Sequence, residues 1–305
     1  MKTEAPGKII LFGEHAVVHG QPAIAVPLSA VRVTAEIEPA GCGGGVTVLA
    51  PDQNVTLHLI GASEKEDRLY NALAYPVEIA LRALNIPMPD VCITIRSTIP
   101  IASGLGSGAA VAAALIRAVG IAVQRPFTND TLNPLVYEVE TRHHGTPSGI
   151  DNTVIVYEQP VYFMRGSGSA TEQRPNTIEP FQITNPFTLL VADSGQSSPT
   201  HITVDDVGAL YRADPNRIGA LFARIGAITR AARATIEQKQ GESGTLYTKL
   251  GALMDENHAL LRELTVSSDE LDHLCDAARA AGAHGAKLSG GGRGGNMIAL
   301  VTPDK

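Results

Sequence analysis

Pro100-Ile101-Ala102-Ser103-Gly104-Leu105-Gly106-Ser107-Gly108-Ala109-Ala110 is the stretch on which the reading of the chain turns. Upstream of it, Val91-Cys92-Ile93-Thr94-Ile95 alternates apolar residues with small or polar ones, the period of a strand. Downstream, an Ala/Val/Leu/Ile run continues to about Val123 and predicts a buried helix. Gly104, Gly106 and Gly108 fall where the chain passes from one to the other. Glycine there permits positive φ and close approach by a ligand. The first N–H groups of the helix point outward at its positive end, a site suited to an anion and best of all to a phosphate. Taken alone, the stretch also fits a tight strand-to-helix turn with no ligand.

Two other glycine motifs fail. Gly104 to Ala109 satisfies G-x-G-x-x-A, but in the dinucleotide fingerprint the first glycine follows its strand almost at once and an acid closes a second strand about 20 residues later. Here Ser97 to Ser103 intervene, and Arg125-Pro126-Phe127-Thr128-Asn129-Asp130 reads as a loop. No G-x-x-x-x-G-K-[ST] run occurs anywhere, so the P-loop is excluded.

A length of 305 residues suits two domains or one large one. With 44% hydrophobic and 18% charged residues the composition is globular, and because aromatics make up only 4% the interior must be filled by Ala, Val, Leu and Ile. A net charge of −7 with no long Lys/Arg block argues against nucleic acid. Anionic ligands must then be held by local features: helix ends, a few cations, a metal. Cys42, Cys92 and Cys275 lie far apart, as in a reduced cytoplasmic protein. The N-terminus lacks the pattern of a signal peptide, and the apolar run from Ala109 to Val123, interrupted by Arg117, is too short to span a bilayer, so no membrane association is expected.

In chain order, Lys8 opens a short strand, Ile9-Ile10-Leu11-Phe12, and Glu14-His15 closes it. These polar ends fit either solvated strand termini or a site. Val31 to Glu38 alternates as a strand, and Gly41 to Gly45 turns it into a partner at Val46-Thr47-Val48-Leu49. Asp67 to Leu84 has helical spacing, with Pro76 as a kink or a start. Asn133 to Arg142 predicts a helix with Glu138 and Glu140 in its last turns. His143-His144-Gly145-Thr146-Pro147-Ser148-Gly149 then leads to Asp151, placed where a loop enters a strand starting at Thr153, as either a catalytic or a turn-capping acid. No third ligand accompanies His143 and His144 to make a metal site.

Arg165 to Thr184, rich in turn residues, marks the boundary between domains at 1–175 and 176–305. Beyond it come a buried strand at Pro186–Ala192, a helical stripe of Ile218, Leu221, Phe222, Ile225 and Ile228, and a second stripe of Leu246, Leu250, Leu253 and Leu264. A third helix opens with the capping box Ser267-x-x-Glu270 and stops at Gly282. Lys287-Leu288-Ser289 leads into Gly290-Gly291-Gly292-Arg293-Gly294-Gly295, a loop between two strands. Its five glycines in six residues exceed the needs of a hairpin and suggest backbone packed against a ligand or another loop.

Pro6-Gly7-Lys8…Gly13-Glu14-His15-Ala16-Val17-Val18-His19-Gly20, Gly104 to Ala110, His144-Gly145-x-Pro147-Ser148-Gly149-Ile150-Asp151-Asn152 and Lys287 to Gly295, in this order, resemble the GHMP kinases over nearly the whole chain. Glu14-His15-Ala16-Val17-Val18-His19-Gly20 has the form of the members that act on mevalonate, where galactokinases continue with Thr-Asp-Tyr. The resemblance implies an α+β protein: an N-terminal domain like the second domain of ribosomal protein S5 and a ferredoxin-like C-terminal domain, with ATP at their junction. It implies transfer of the γ-phosphoryl of ATP to the primary hydroxyl of mevalonate, and is compatible with a homodimer. Another small alcohol, such as phosphomevalonate or a sugar, and a non-catalytic nucleotide-binding role are the alternatives.

Carried onto this sequence, the resemblance gives ATP to Pro100, Ser103, Gly104, Leu105, Gly106, Ser107, Gly108, Ala109 and Gly291, and Mg²⁺ to Glu140 and Ser107. Asp151 would take the proton of the substrate hydroxyl, or orient that hydroxyl. Lys8 beside it would ease the negative charge on the attacking oxygen. Glu14 and His15 would meet the substrate. Two departures stand out. Gly108 occupies a place where members acting on mevalonate usually carry a second serine as a Mg²⁺ ligand. Gln196-Ser197-Ser198-Pro199-Thr200 lacks the basic residue often found near the substrate carboxylate.

Overall fold

A computed structural model describes the chain except for residues 41–43, 61–68, 101–103, 145–146, 167–175, 197–199, 239–242 and 304–305. The strands and helices, in chain order, are β1 (Lys2–Phe12), β2 (Pro22–Pro39), β3 (Val46–Ala50), β4 (Val55–Leu59), α1 (Tyr75–Leu84), β5 (Val91–Ser97), α2 (Ser107–Ala122), α3 (Asn129–His144), α4 (Ile150–Tyr157), β6 (Val161–Met164), β7 (Thr177–Pro180), β8 (Thr188–Asp193), α5 (Thr200–Ala213), α6 (Pro215–Glu237), α7 (Ser243–Glu263), α8 (Asp269–Ala280), β9 (Gly285–Ser289) and β10 (Asn296–Val301). They form two compact α+β units. The first takes residues 1–8, 27–101 and 105–158, and the second takes 9–26, 102–104 and 159–305.

In the first unit β5 is antiparallel to β2, with Val33 opposite Ser97 and Pro39 opposite Val91. On its other side β5 is parallel to β3, and β3 forms an antiparallel pair with β4. The expected β2–β3 hairpin is therefore wrong. β5, with Ile93 and Ile95 buried, takes the place beside β2 that the hairpin would have given to β3, and pairs with both strands. Helix α2 is the core of the unit and packs against α1, α3, α4 and β5. Its buried Ala109, Ala110, Ala112, Ala113 and Ala114 let these neighbours approach closely.

Two further expectations in this unit are corrected, for Lys8 and for Thr153, and the alternatives at Pro76 are resolved. β1 starts at Lys2, so Lys8 lies inside the strand, and the N-terminal ammonium donates to Ile37 O at 2.9 Å. Pro76 sits in the first turn of α1, so it starts the regular helix; a π-helical turn, Tyr70–Ala74, precedes it. Thr153 to Val156 is helix, not strand. A short apolar β-branched run does not distinguish a strand from a helix buried all round. Here Ile150 and Asn152 to Val156 are all buried, and Thr153 Oγ1 returns its hydrogen bond to Gly149 O at 2.7 Å.

In the second unit β10 lies between β8 and β9, antiparallel to both, with Ile298 opposite Val191 and Lys287. Helices α7 and α8 cover this sheet, and α6 packs on α7. All five residues of the predicted α6 stripe are buried. β8, expected to be buried, is one of the two outer strands and leaves Leu190 47% exposed. The cap of α8 is Ser268, whose hydroxyl accepts from Leu271 N. Ser267 instead donates to Asp272 at 2.6 Å, one residue out of step with the expected capping box.

Helix α7 meets β9 backbone to backbone at Gly251 and Gly285, where a Cβ on Gly251 would overlap the carbonyl of His284. Gly251→Ala should lower stability by about 1–3 kcal/mol through overpacking against rigid backbone, outweighing the roughly 1 kcal/mol by which alanine favours a helix. Gly219→Ala on α6, whose Cβ would meet nothing nearer than Tyr211 at 3.6 Å, should be neutral or stabilising. Urea midpoints of the two variants check this contrast.

Candidate active site

In the first unit, Gly7 and Lys8 bring β1 against the glycine loop, and Lys8 N donates to Leu105 O at 2.9 Å. The stem of Lys8 then crosses the start of α2 directly over Gly106. A Cβ on Gly106 would lie 2.8 Å from Lys8 Cγ and 2.9 Å from Ile155 Cδ1, and its φ of +75° disfavours any side chain independently. The crossing carries Lys8 Nζ to 3.0 Å from Asp151 Oδ1, with the lysine side chain 7% exposed and the aspartate 33%. Asp151 lies in the first turn of α4, which opens at Gly149 with a φ of +90°. That turn is held to α3 by Asn152 Nδ2 donating to Asn133 Oδ1 at 2.7 Å.

Helix α2 starts at the same place. Its N-cap, Gly106, offers no side-chain hydrogen bond, and Ala110 N, bonded to Gly106 O at 3.0 Å, follows the N–H groups of Ser107, Gly108 and Ala109. Leu105 and Ala109 are buried and anchor the loop, Ser107 is half-buried, and Gly104, Gly108 and Pro100 are exposed. Among the described residues, chain neighbours aside, no atom lies within 4 Å of a Cβ built on Gly104. Ser103, expected among the nucleotide contacts, lies outside the described residues.

Glu140, on α3, is 4% exposed. Burial first, and the charge of Asp151 second, push its carboxyl up to about 8, and Lys8 offsets this only in part. Its Oε1 would be 3.2 Å from a Cβ on Gly108, which brings the carboxylate to the first turn of α2. Two carboxylates thus share one lysine in a poorly solvated place, a donor set that a divalent cation would complete. No group of three His, Cys, Asp or Glu suited to a metal occurs among the described residues. An ion here would draw on few protein oxygens plus phosphate and water, the habit of magnesium.

In the second unit, Glu14 and His15 follow Gly13 in a tight turn. Lys287, fully buried in β9, donates to Glu14 Oε1 and to Leu288 O, the latter at 2.6 Å. Burial pulls the lysine's pKa down and Glu14 pulls it back up. His15 Nε2 bonds Gly291 O at 2.9 Å, which makes Nε2 the protonated nitrogen, and burial lowers the imidazole to about 4. Its Nδ1, like Glu14 Oε2, is buried without a hydrogen-bond partner among the described residues. The surplus glycines of the second loop meet other loops: Gly295 N donates to Gln196 O and Arg293 N to Val266 O, both at 2.8 Å. A Cβ on Gly291 would be 2.9 Å from Thr200 Oγ1.

The GHMP kinases N terminal domain matches residues 71–159, which include the glycine loop, Glu140 and Asp151, and the GHMP kinases C terminal domain matches residues 245–305. The mevalonate kinase of Pyrococcus horikoshii is 34% identical over 310 residues, spanning 97% of this chain and 87% of that protein. The chain is a GHMP kinase. As such it is an ATP-dependent phosphotransferase of mixed helix and strand. The kinase superimposes on the crystal structure of Methanococcus jannaschii mevalonate kinase with a TM-score of 0.84 and 27% identity, covering 100% of this chain and 92% of that one. It is similar also to L. major mevalonate kinase in complex with R-mevalonate, with a TM-score of 0.80, 29% identity, and coverage of 100% and 88%. Among the described residues no helix is long and apolar enough to cross a membrane.

Lys287 escaped the sequence reading as the partner of Glu14, although a lysine between Ala286 and Leu288 in an apolar strand is itself a signal of a buried carboxylate. The Glu140 carboxyl yields a pH prediction for the metal-free kinase. Its folded-state pKa is raised from 4.5 to about 8, so its contribution to stability is fully present below 4.5 and is lost as pH rises toward 8. Glu140→Gln should therefore melt higher than the parent at pH 8 without metal, by an amount on the order of a few kcal/mol, and the gap should close toward pH 5. Melting curves across this range check it.

Proposed function

We propose that this kinase transfers the γ-phosphoryl of ATP to the primary hydroxyl of mevalonate, giving 5-phosphomevalonate, in the cytoplasm. The observation that carries the reading is the Lys8–Asp151 pair set beside the uncapped start of α2. The relatives named mevalonate kinase select the acceptor. Phosphomevalonate kinase and galactokinase structures, at 17% and 18% identity, share the fold alone.

Phosphoryl transfer asks mainly for positioning and charge neutralisation. The backbone from Gly104 to Ala109 holds the phosphates at the positive end of α2. Asp151 accepts the proton of the attacking hydroxyl as that oxygen bonds to phosphorus and the bond to the β–γ bridging oxygen breaks, releasing ADP. Lys8 eases the negative charge on the attacking oxygen. Glu140 and Ser107 would hold Mg²⁺, which supplies further neutralisation at the phosphates. Glu14 Oε2 and His15 Nδ1, two buried acceptors, are suited to a substrate hydroxyl. The stretch where a basic residue often meets the substrate carboxylate includes 197–199, outside the described residues.

Asp151→Asn should lower kcat by about 10²–10⁴ with little change in KM for ATP. A coupled ADP-release assay offering mevalonate, phosphomevalonate, homoserine and galactose decides the acceptor, and turnover of mevalonate no faster than of the other three would sink the assignment.

Gly108→Ser gives an independent check on the metal site. Gly108 lies in the first turn of α2 without positive φ, and outside that helix the atom of the described residues that a Cβ there would meet is Glu140 Oε1 at 3.2 Å. A serine there should stabilise the helix by about 0.5–1 kcal/mol and reduce the Mg²⁺ concentration needed for half-maximal rate. Loss of both stability and activity would show that the loop requires glycine for its shape.

A further inference from the structure

Arg117 is the single charge in the otherwise apolar α2, three turns after the glycine loop, and the chemistry above makes no use of it. Its side chain is 18% exposed and reaches three acceptors. Nη1 donates to Glu4 O in β1 at 2.6 Å, and Nη2 donates to Val156 O near the C-terminus of α4 at 2.8 Å. Nη1 also lies 3.3 Å from Glu158 Oε1 at the C-cap of α4. Burial lowers the guanidinium pKa, and these oxygens compensate for the lost water.

β1 carries Lys8 four residues beyond Glu4, and α4 carries Asp151 five residues before Val156. A helix rises about 1.5 Å per residue, so fixing Val156 fixes Asp151 along the axis about 7.5 Å away. The Lys8–Asp151 contact cannot set that spacing itself, because a lysine stem has four rotatable bonds. A guanidinium is a planar, preformed fork, and here it spans the two elements while standing on the helix that forms the phosphate site.

We propose that Arg117 is a positioning residue for phosphoryl transfer: by bonding backbone carbonyls of β1 and α4 at once, it fixes the register of the two elements that bring Lys8 to Asp151. The proposal rests on the catalytic reading of Lys8 and Asp151. The carbonyl bonds matter more than the Glu158 ion pair, since Glu158 is 46% exposed and exposed pairs contribute little.

The test measures kcat and KM for Arg117→Met, Arg117→Lys and Glu158→Gln in the parent, and for Arg117→Met in the Asp151→Asn background, well below the melting temperature of each. Arg117→Met should lower kcat about 10- to 100-fold, the scale of a misplacement near 1 Å, with KM for ATP within about threefold. Glu158→Gln should stay within about twofold. With Asp151 already replaced, Arg117→Met should cost less than about threefold further, because groups that act as a unit are non-additive. A merely structural arginine would lose the same factor in both backgrounds, and that result, or parental kcat in Arg117→Met, overturns the proposal. If Arg117→Met does not fold, Arg117→Lys, which keeps the charge but not the fork, carries the same comparison. Should Asp151→Asn keep its turnover, the assignment of Asp151 falls by that result alone. Hydrogen exchange at the amides of α4 then decides for Arg117: faster exchange in Arg117→Met supports the clamp, and unchanged exchange removes it.

Discussion

A lysine stem crossing a helix start that has no side chain is the contact on which the first unit depends. Lys8 reaches Asp151 only because Gly106 leaves room for its Cγ, and Gly106 also turns the chain through a φ of +75° into α2. One position therefore meets two demands. It opens the helix so that uncapped N–H groups face outward, and it admits a cation across the same spot. Any side chain at 106 would act on both, by strain in the backbone and by overlap with Lys8 and Ile155. The positive end of the helix and the lysine thus come as one assembly rather than as two features that happen to be near each other.

The second unit solves a different electrostatic problem. Lys287 is wholly buried, and burying a lone ammonium is costly enough that it must be paired. Glu14 supplies the charge, and Leu288 O accepts a second hydrogen bond from the ammonium. The same strand is tied further in, with Leu288 N donating to His258 Nδ1 at 3.3 Å and His258 Nε2 lying 3.1 Å from Asp272. Burial holds His258 down to about 4, so this ring stays neutral and serves as a relay of hydrogen bonds rather than as a charge. Removing either member of the Glu14–Lys287 pair alone would strand an ion in the core, which makes the pair a constraint on the turn at Glu14–His15 whatever it contributes to stability.

Much of this was legible in the residues. Periodicity and punctuation give the glycine loop, the strand before it and the helix after it, a motif gives Asp151, and only the family resemblance separates Glu140 from Glu138 on the same helix. What the sequence hid was pairing at a distance. A glycine turn after β2 suggests a hairpin, but the apolar β5, read correctly as a strand, displaces the local partner. Thr153 to Val156 is β-branched and apolar, a composition that strand and buried helix share, and only the packing on all sides settles it. Lys8 reads as the opening residue of its strand, whether as a solvated end or part of a site, because the preceding Lys2-Thr3-Glu4 is polar and does not alternate cleanly. In the fold Thr3 is buried and donates to Ala114 O at 2.9 Å, which pulls that segment into the core. Arg117 was visible as an interruption in an apolar run, yet its acceptors are main-chain carbonyls, and no side-chain pattern announces those.

The overall charge of the chain bears on its ligand less than these local arrangements do. At −7 the protein would repel a nucleotide at long range, but that field is screened beyond about 8 Å at physiological ionic strength. Many arginines are also already committed: Arg82 to Glu138, Arg233 to Glu179, Arg279 to Asp255 and Arg293 to Asp206. What remains at the glycine loop, among the described residues, is one lysine, a helix start and two carboxylates. Of these, only the lysine and the helix favour an anion, and the burial of Glu140 keeps the acid from ionising fully without a cation. An acidic chain can therefore hold a polyanion because the attraction is built from oriented dipoles and one well-placed cation. The same reasoning denies any inference from net charge to ligand charge wherever the site is smaller than a Debye length.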